Sequence, residues 1–157
     1  MKKLIIMSII SASLLANKVE PYIVCGLSTN HLFEESENIL NEHNNLIGVG
    51  VEYKKYELTY LNFDNSFGQN TDAILIRKNV DIKYKVSYNY GVAFTKGYTK
   101  NYVFVKDNVK YRTPNNFVLY KDYGIMPTIG LTYNTKHIDF NCDLFGNALI
   151  TSVKYKF

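Results

Sequence analysis

The chain has 157 residues, a formal net charge of +4 and 20% charged residues, and two of its positive charges are Lys2 and Lys3. So small a surplus is too weak for nucleic-acid binding, and the length is one domain's worth. After the first residues no stretch is apolar enough for a membrane helix, which needs about 20 residues, so a membrane-spanning reading must be a β-barrel.

The start reads as a secretory signal peptide over 1–16. Lys2 and Lys3 precede the apolar run from Leu4 to Ile10, and Ser-Ala-Ser-Leu-Leu-Ala follows at 11–16. Ala16 suits the last residue before cleavage, with Ser13 and Ser11 as the alternative pair. Residues 17–157 then form one domain, the length that eight strands of about 10 residues plus loops require.

From residue 20 onward, alternation predicts strands at 20–30, 46–54, 56–63, 71–79, 82–95, 119–133, 136–145 and 147–157. In the fifth, Ile82, Tyr84, Val86, Tyr88, Tyr90, Val92 and Phe94 fall on one face, opposite Lys83, Lys85, Ser87, Asn89, Gly91, Ala93 and Thr95. In the seventh, Ile138, Phe140, Cys142 and Leu144 oppose His137, Asp139, Asn141 and Asp143. The eighth alternates Leu149, Thr151, Val153, Tyr155 and Phe157 with Ser152, Lys154 and Lys156, and the sequence stops on an aromatic residue, as outer-membrane barrels commonly do. A polar face this consistent suits the lumen of a small barrel with its apolar face to lipid. The fold expected is therefore all-β, an eight-stranded antiparallel up-and-down transmembrane barrel. Short turns at 54–55, 79–81 and 134–135 would face the periplasm, and the longer connections at 31–45, 64–70 and 96–118 would face outward.

An eight-stranded barrel holds side chains or one slender ligand, which argues against a general diffusion pore. Lys83, Lys85, Asp139, Lys154 and Lys156 would cluster toward the periplasmic end of the lumen. Toward the outer end the inward positions are small: Gly48, Gly50, Gly91, Ala93 and Gly124. They would either leave a narrow apolar cavity or let a tight barrel bend. Cys25 and Cys142 fall on strands one and seven, about 10 Å apart by strand spacing, beyond the reach of a disulfide. No metal or other cofactor is expected.

Histidine and serine are the catalytic types to weigh. His31 opens the first outer loop and Ser66 lies in the second, in Phe63-Asp64-Asn65-Ser66-Phe67-Gly68, so topology puts both at the outer rim. Surface loops carry such residues routinely. Taken in order, however, several motifs resemble the lipid A palmitoyltransferases of Gram-negative outer membranes (the PagP family). These are Tyr22-Ile23 with His31-Leu32-Phe33, Asn41-Glu42 with Gly48-Val49-Gly50, and Phe63-Asp64-Asn65-Ser66. Met126-Pro127-Thr128 through Tyr133, and the ending Lys154-Tyr155-Lys156-Phe157, continue the series.

The resemblance implies an enzyme moving an acyl chain from phospholipid to lipid A, with the barrel interior measuring chain length. His31 would be general base toward the acceptor hydroxyl, and Ser66 a nucleophile or a hydrogen-bonding stabiliser. Gly48, Gly50, Gly91 and Ala93 would line the acyl pocket. Pro127 would interrupt strand pairing and open a lateral path for lipid. Asn65 stands where the family has an aspartate, with Glu34 or Glu35 as a substitute carboxylate. The family's amphipathic N-terminal helix and the proline after Asn-Glu are missing here.

The loops add a charge contrast. Residues 31–45 carry Glu34, Glu35, Glu37 and Glu42 without Lys or Arg, while 96–118 carry Lys96, Lys100, Lys106, Lys110 and Arg112 against Asp107. A basic outer loop suits lipid A phosphates. Expected partners are membrane lipids (phospholipid and lipopolysaccharide) and the outer-membrane assembly machinery, with no nucleic acid and a monomeric state. The rival reading is a non-catalytic barrel for surface interaction, adhesion or envelope protection. A lipid A deacylase and a soluble β-sandwich are further alternatives.

Overall fold

Alternating β-branched and aromatic residues build strands throughout the computed structural model, which describes residues 19–32, 44–99, 103–106, 109–112, 118–146 and 148–157. The expected signal peptide and most of the first long loop, with Glu34, Glu35, Glu37, Glu42 and His43, lie outside the described residues. In chain order the strands are β1 (Val19–His31), β2 (Ile47–Tyr53), β3 (Tyr56–Asp64), β4 (Asn70–Lys83), β5 (Val86–Lys96), β6 (Val103–Lys106), β7 (Val109–Arg112), β8 (Val118–Tyr120), β9 (Tyr123–Tyr133), β10 (Ile138–Phe145) and β11 (Ala148–Lys156). Strands β1 to β5 pair in sequence, β5 pairs β9, β9 pairs β10, β10 pairs β11, and β11 returns to β1. The result is a closed eight-stranded antiparallel barrel, in which each wall strand has a neighbour on both sides. Strands β6 and β7 form a separate hairpin in the long connection between β5 and β9.

Period-two patterning decides the two faces. Along β4, Thr71, Ala73, Leu75, Arg77 and Asn79 are buried inward, whereas Ile74 and Ile76 are exposed on the outer wall. Asp139, Asn141 and Asp143 of β10 are likewise buried, opposite exposed Ile138 and Phe140. Ser152 and Lys154 of β11 face in as well.

Two bulges correct the expected geometry. The β4–β5 turn is Tyr84-Lys85, both with positive φ (51° and 68°), and not 79–81. Asp81 pairs with Ser87 and Lys83 with Val86, which leaves Ile82 as one extra residue. A two-residue turn inverts parity and the bulge restores it, so the pattern runs from 82 to 95 as if unbroken. Lys83 and Lys85 consequently sit exposed at the turn, outside the lumen where alternation had placed them. In β1, Gly26 pairs with Ser152 and Ser28 with Thr151, so Leu27 is extra. Beyond it Thr29 and His31 turn inward. The expected sixth strand, 119–133, divides at a tight turn with Lys121 at φ 53°, giving β8 and β9.

Candidate functional site

The lumen is layered. Near the short-turn end, inward charges from five strands form one network. Glu57 accepts from Arg77 at 2.5 Å and from Lys154 at 2.6 Å, and Asn79 donates to it at 2.7 Å. Arg77 also reaches Asp143 at 2.9 Å, to which Asn89 donates at 3.0 Å. Lys154 contacts Asp139 at 3.2 Å and Glu52 at 3.3 Å, and Lys156 contacts Asp139 at 2.9 Å. Lys154 also lies 4.9 Å from the ring centroid of Tyr22, whose hydroxyl meets Thr59 at 2.5 Å. Charges so enclosed persist only when paired and hydrogen-bonded, and here each has a partner. Asp139, Lys154 and Lys156 pair at this end, in keeping with the sequence reading. Glu57, Arg77 and Asp143 carry the rest and were not singled out, although their polar-face positions were the available sign.

Above the network the lumen turns apolar. Leu61, Phe63, Leu75, Met126, Phe145 and Ile150 belong to one buried cluster, together with Leu46, which the returning first loop lays over β1. The small inward residues sit against these neighbours. A Cβ on Gly48 would meet Leu61 at 2.6 Å and Val24 at 2.9 Å, and one on Gly50 would meet the Tyr22 ring at 2.5 Å. A Cβ on Gly91 would instead run into the neighbouring strand itself, at the Ile76 carbonyl and Arg77 Cβ, and Ala93 is wholly buried. Between network and cluster a cavity of about 20 Å³ remains, bounded by Tyr22, Thr59, Leu75, Arg77 and Asp143 among others. That is room for about one water.

His31 ends β1, faces inward at 2% exposure and pairs across the wall with Ala148. Ser66 lies half-buried in the β3–β4 turn, and β2 and β3 stand between it and β1 in the wall. Asn65 is buried and organises that turn. Its amide donates to Thr71 at 3.0 Å and to the Gly97 carbonyl at 3.3 Å, while its oxygen accepts from the Phe67 and Gln69 backbone at 3.0 and 3.1 Å. Both hydrogens and both lone pairs are thereby engaged, leaving none to orient His31.

Pro127 lies where the wall changes. The β9–β10 ladder ends at Thr128 opposite Phe145, while β9 continues upward against β5 with Pro127 opposite Val92. The β10–β11 hairpin stops at Phe145 and Ala148, and higher up β8 meets the same flank of β9, with Val118 opposite Gly124. An open groove of about 210 Å³ runs there, lined by Pro127, Thr128, Ile129, Leu144 and Gly146. Among the described residues no group of three or more His, Cys, Asp or Glu could hold a metal ion. Just outside the strands, burial raises the Tyr98 phenol above its ordinary value, and Phe67 stacks edge-on against it at 6.3 Å.

No protein-family model and no curated protein matches this chain. Solved structures do. The outer membrane protein Ail of Yersinia pestis, determined in a phospholipid bilayer nanodisc, is 10% identical with a TM-score of 0.50, over 89% of this chain and 100% of that one. The N-terminal β-barrel domain of OprF from Pseudomonas aeruginosa is 13% identical with a TM-score of 0.46, over 88% of this chain and 97% of that one. At 10% identity the likeness to Ail is one of fold.

Proposed function

We propose that this chain is a small, monomeric outer-membrane barrel whose wall stands in lipid and whose long loops meet the surroundings, serving surface interaction, adhesion or envelope protection without catalysis. The observation that carries this reading is the filled lumen. Among the described residues, ion pairs occupy its lower part and an apolar cluster lies above them, with a cavity of about 20 Å³ between the two. The outer wall supports the lipid setting, because Ile74, Ile76, Ile129, Leu131 and Phe140 are all exposed on it. A closed wall of paired strands is also the form a sheet must take in hydrocarbon. Ail, which has this fold, was solved in a phospholipid bilayer.

One observation favours acyl transfer as a second reading. The groove beside Pro127 opens sideways from the wall at the level where outer-leaflet acyl chains would lie, and His31 faces inward across the short β10–β11 hairpin. On that reading His31 is the base and Ser66 its partner, with phospholipid as donor and lipid A as acceptor.

Mass spectrometry of lipid A separates the two. Cells of a Gram-negative host expressing the folded chain in their outer membrane should show unchanged lipid A. An acyl-sized mass gain that disappears in both His31→Ala and Ser66→Ala would establish acyl transfer instead, and a matching loss would mean deacylation.

A further inference from the structure

We propose that the short-turn end of the barrel binds the headgroups of anionic phospholipids, through lysines set at the edge of the apolar wall. The inference rests on the membrane reading above and adds a lipid class and a leaflet to it.

Every turn at this end carries exposed lysine: Lys54 and Lys55 between β2 and β3, Lys83 and Lys85 flanking the β4–β5 turn, and Lys136 between β9 and β10. The carboxylates there are few among the described residues. Asp81 is engaged by Lys55 at 3.2 Å, and Glu20 is exposed. Glu52 and Asp139 are turned inward to Lys154 and Lys156 and do not offset the rim. A cationic surplus on one end of a barrel attracts anionic lipid, the more so at low salt.

The aromatic residues separate a headgroup surface from a merely solvated basic rim. Lys54 lies 5.2 Å from the ring centroid of Tyr53, and Lys78 lies 5.7 Å from that of Tyr56. Both rings are exposed on the outer wall, where the apolar band of Leu58, Ile74 and Ile76 ends. Cation–π contact therefore holds the ammonium groups at the edge of that band, the depth of lipid phosphates. Tyr84, 89% exposed at the tip of the β4–β5 turn, stands between Lys83 and Lys85. A soluble acidic partner would need the turn tips alone and no rings on the wall. On β3 and β4 the long-loop end presents carboxylates instead, where Tyr60 and Asn62 donate to Asp72 at 2.5 and 2.9 Å and Asn45 donates to Asp64 at 2.8 Å, although Lys96 and Lys121 lie over Tyr123 and Tyr120 farther round that rim.

The test uses the full-length folded protein in vesicles of phosphatidylcholine, with and without phosphatidylglycerol of the same chain length, and reads thermal unfolding by gel mobility. The expected result is a midpoint several degrees higher in the anionic vesicles at low salt, with the difference lost at high salt. The variant K54Q/K55Q/K83Q/K85Q should lose most of that difference while melting like the unmodified protein in phosphatidylcholine. Equal midpoints in the two lipids, or the same anionic shift in the variant, would overturn the inference and leave the barrel's membrane placement standing. Failure to enter either vesicle would overturn the membrane reading itself, and this inference with it.

Discussion

An aspartate at position 65 would keep the two backbone donors that reach its oxygens and lose the two bonds that the Asn65 amide donates to Thr71 and Gly97. Asn65→Asp should therefore destabilise the barrel by about 1–3 kcal/mol, measured by urea unfolding in detergent micelles. If the substitution is neutral or stabilising, the turn does not depend on this amide. Arg77 holds Glu57 and Asp143 together, and its removal leaves buried carboxylates uncompensated. Arg77→Met should cost about 3–5 kcal/mol in the same assay. This network was only half legible in the sequence. Glu57 and Arg77 fall visibly on the polar faces of their strands, but which charges meet is set by strand order, and Arg77 and Asp143 are 66 residues apart.

Among the elements, the regular strands were plain from alternation, since β3 and β10 differ from their expected ranges by one or two residues. The bulges were hidden for the opposite reason. Ile82 and Leu27 each shift parity by one residue, and at Ile82 a two-residue turn cancels the shift, so no break in pattern survives to be read. The bulge at Leu27 is also why His31, which ends β1 at the long-loop rim, faces inward. The pairing register yields a contrast that deletion mutants can check. Deleting Ile82 leaves Asp81 opposite Ser87 and Lys83 opposite Val86 in a regular hairpin, so the barrel should still form. Deleting Lys55 offers no such repair, because the β2–β3 ladder runs unbulged from Tyr53–Tyr56 to Ile47–Asn62. One strand would then turn its polar face outward. Heat-modifiable gel mobility should be retained in the first mutant and lost in the second.

As a whole molecule the barrel carries an ion-paired network inside its wall and large exposed hydrophobic residues outside it, the reverse of a water-soluble domain. With side chains across the lumen at both levels, vesicles containing the folded protein should retain a trapped small sugar for as long as protein-free vesicles do. Release within minutes would mean that the network opens.

The uneven rim bears on how such a barrel would lie in a bilayer. Strand β9 continues to Tyr123, whereas its neighbour β10 has already turned back at Phe145. Above Thr128 β9 parts from β10 and β8 meets it at Tyr123 and Gly124, so the flank from Ile125 to Pro127 pairs with neither, and hydrocarbon tolerates no unpaired backbone. Pro127, the first residue past that ladder, has no N–H to leave unmet. On the membrane reading, the lipid surface must dip to the height of the β10–β11 turn on this side, or the barrel axis must lean until it does. Either way the outer leaflet would be thinnest beside Pro127, so the protein would impose a local defect on the lipid around it.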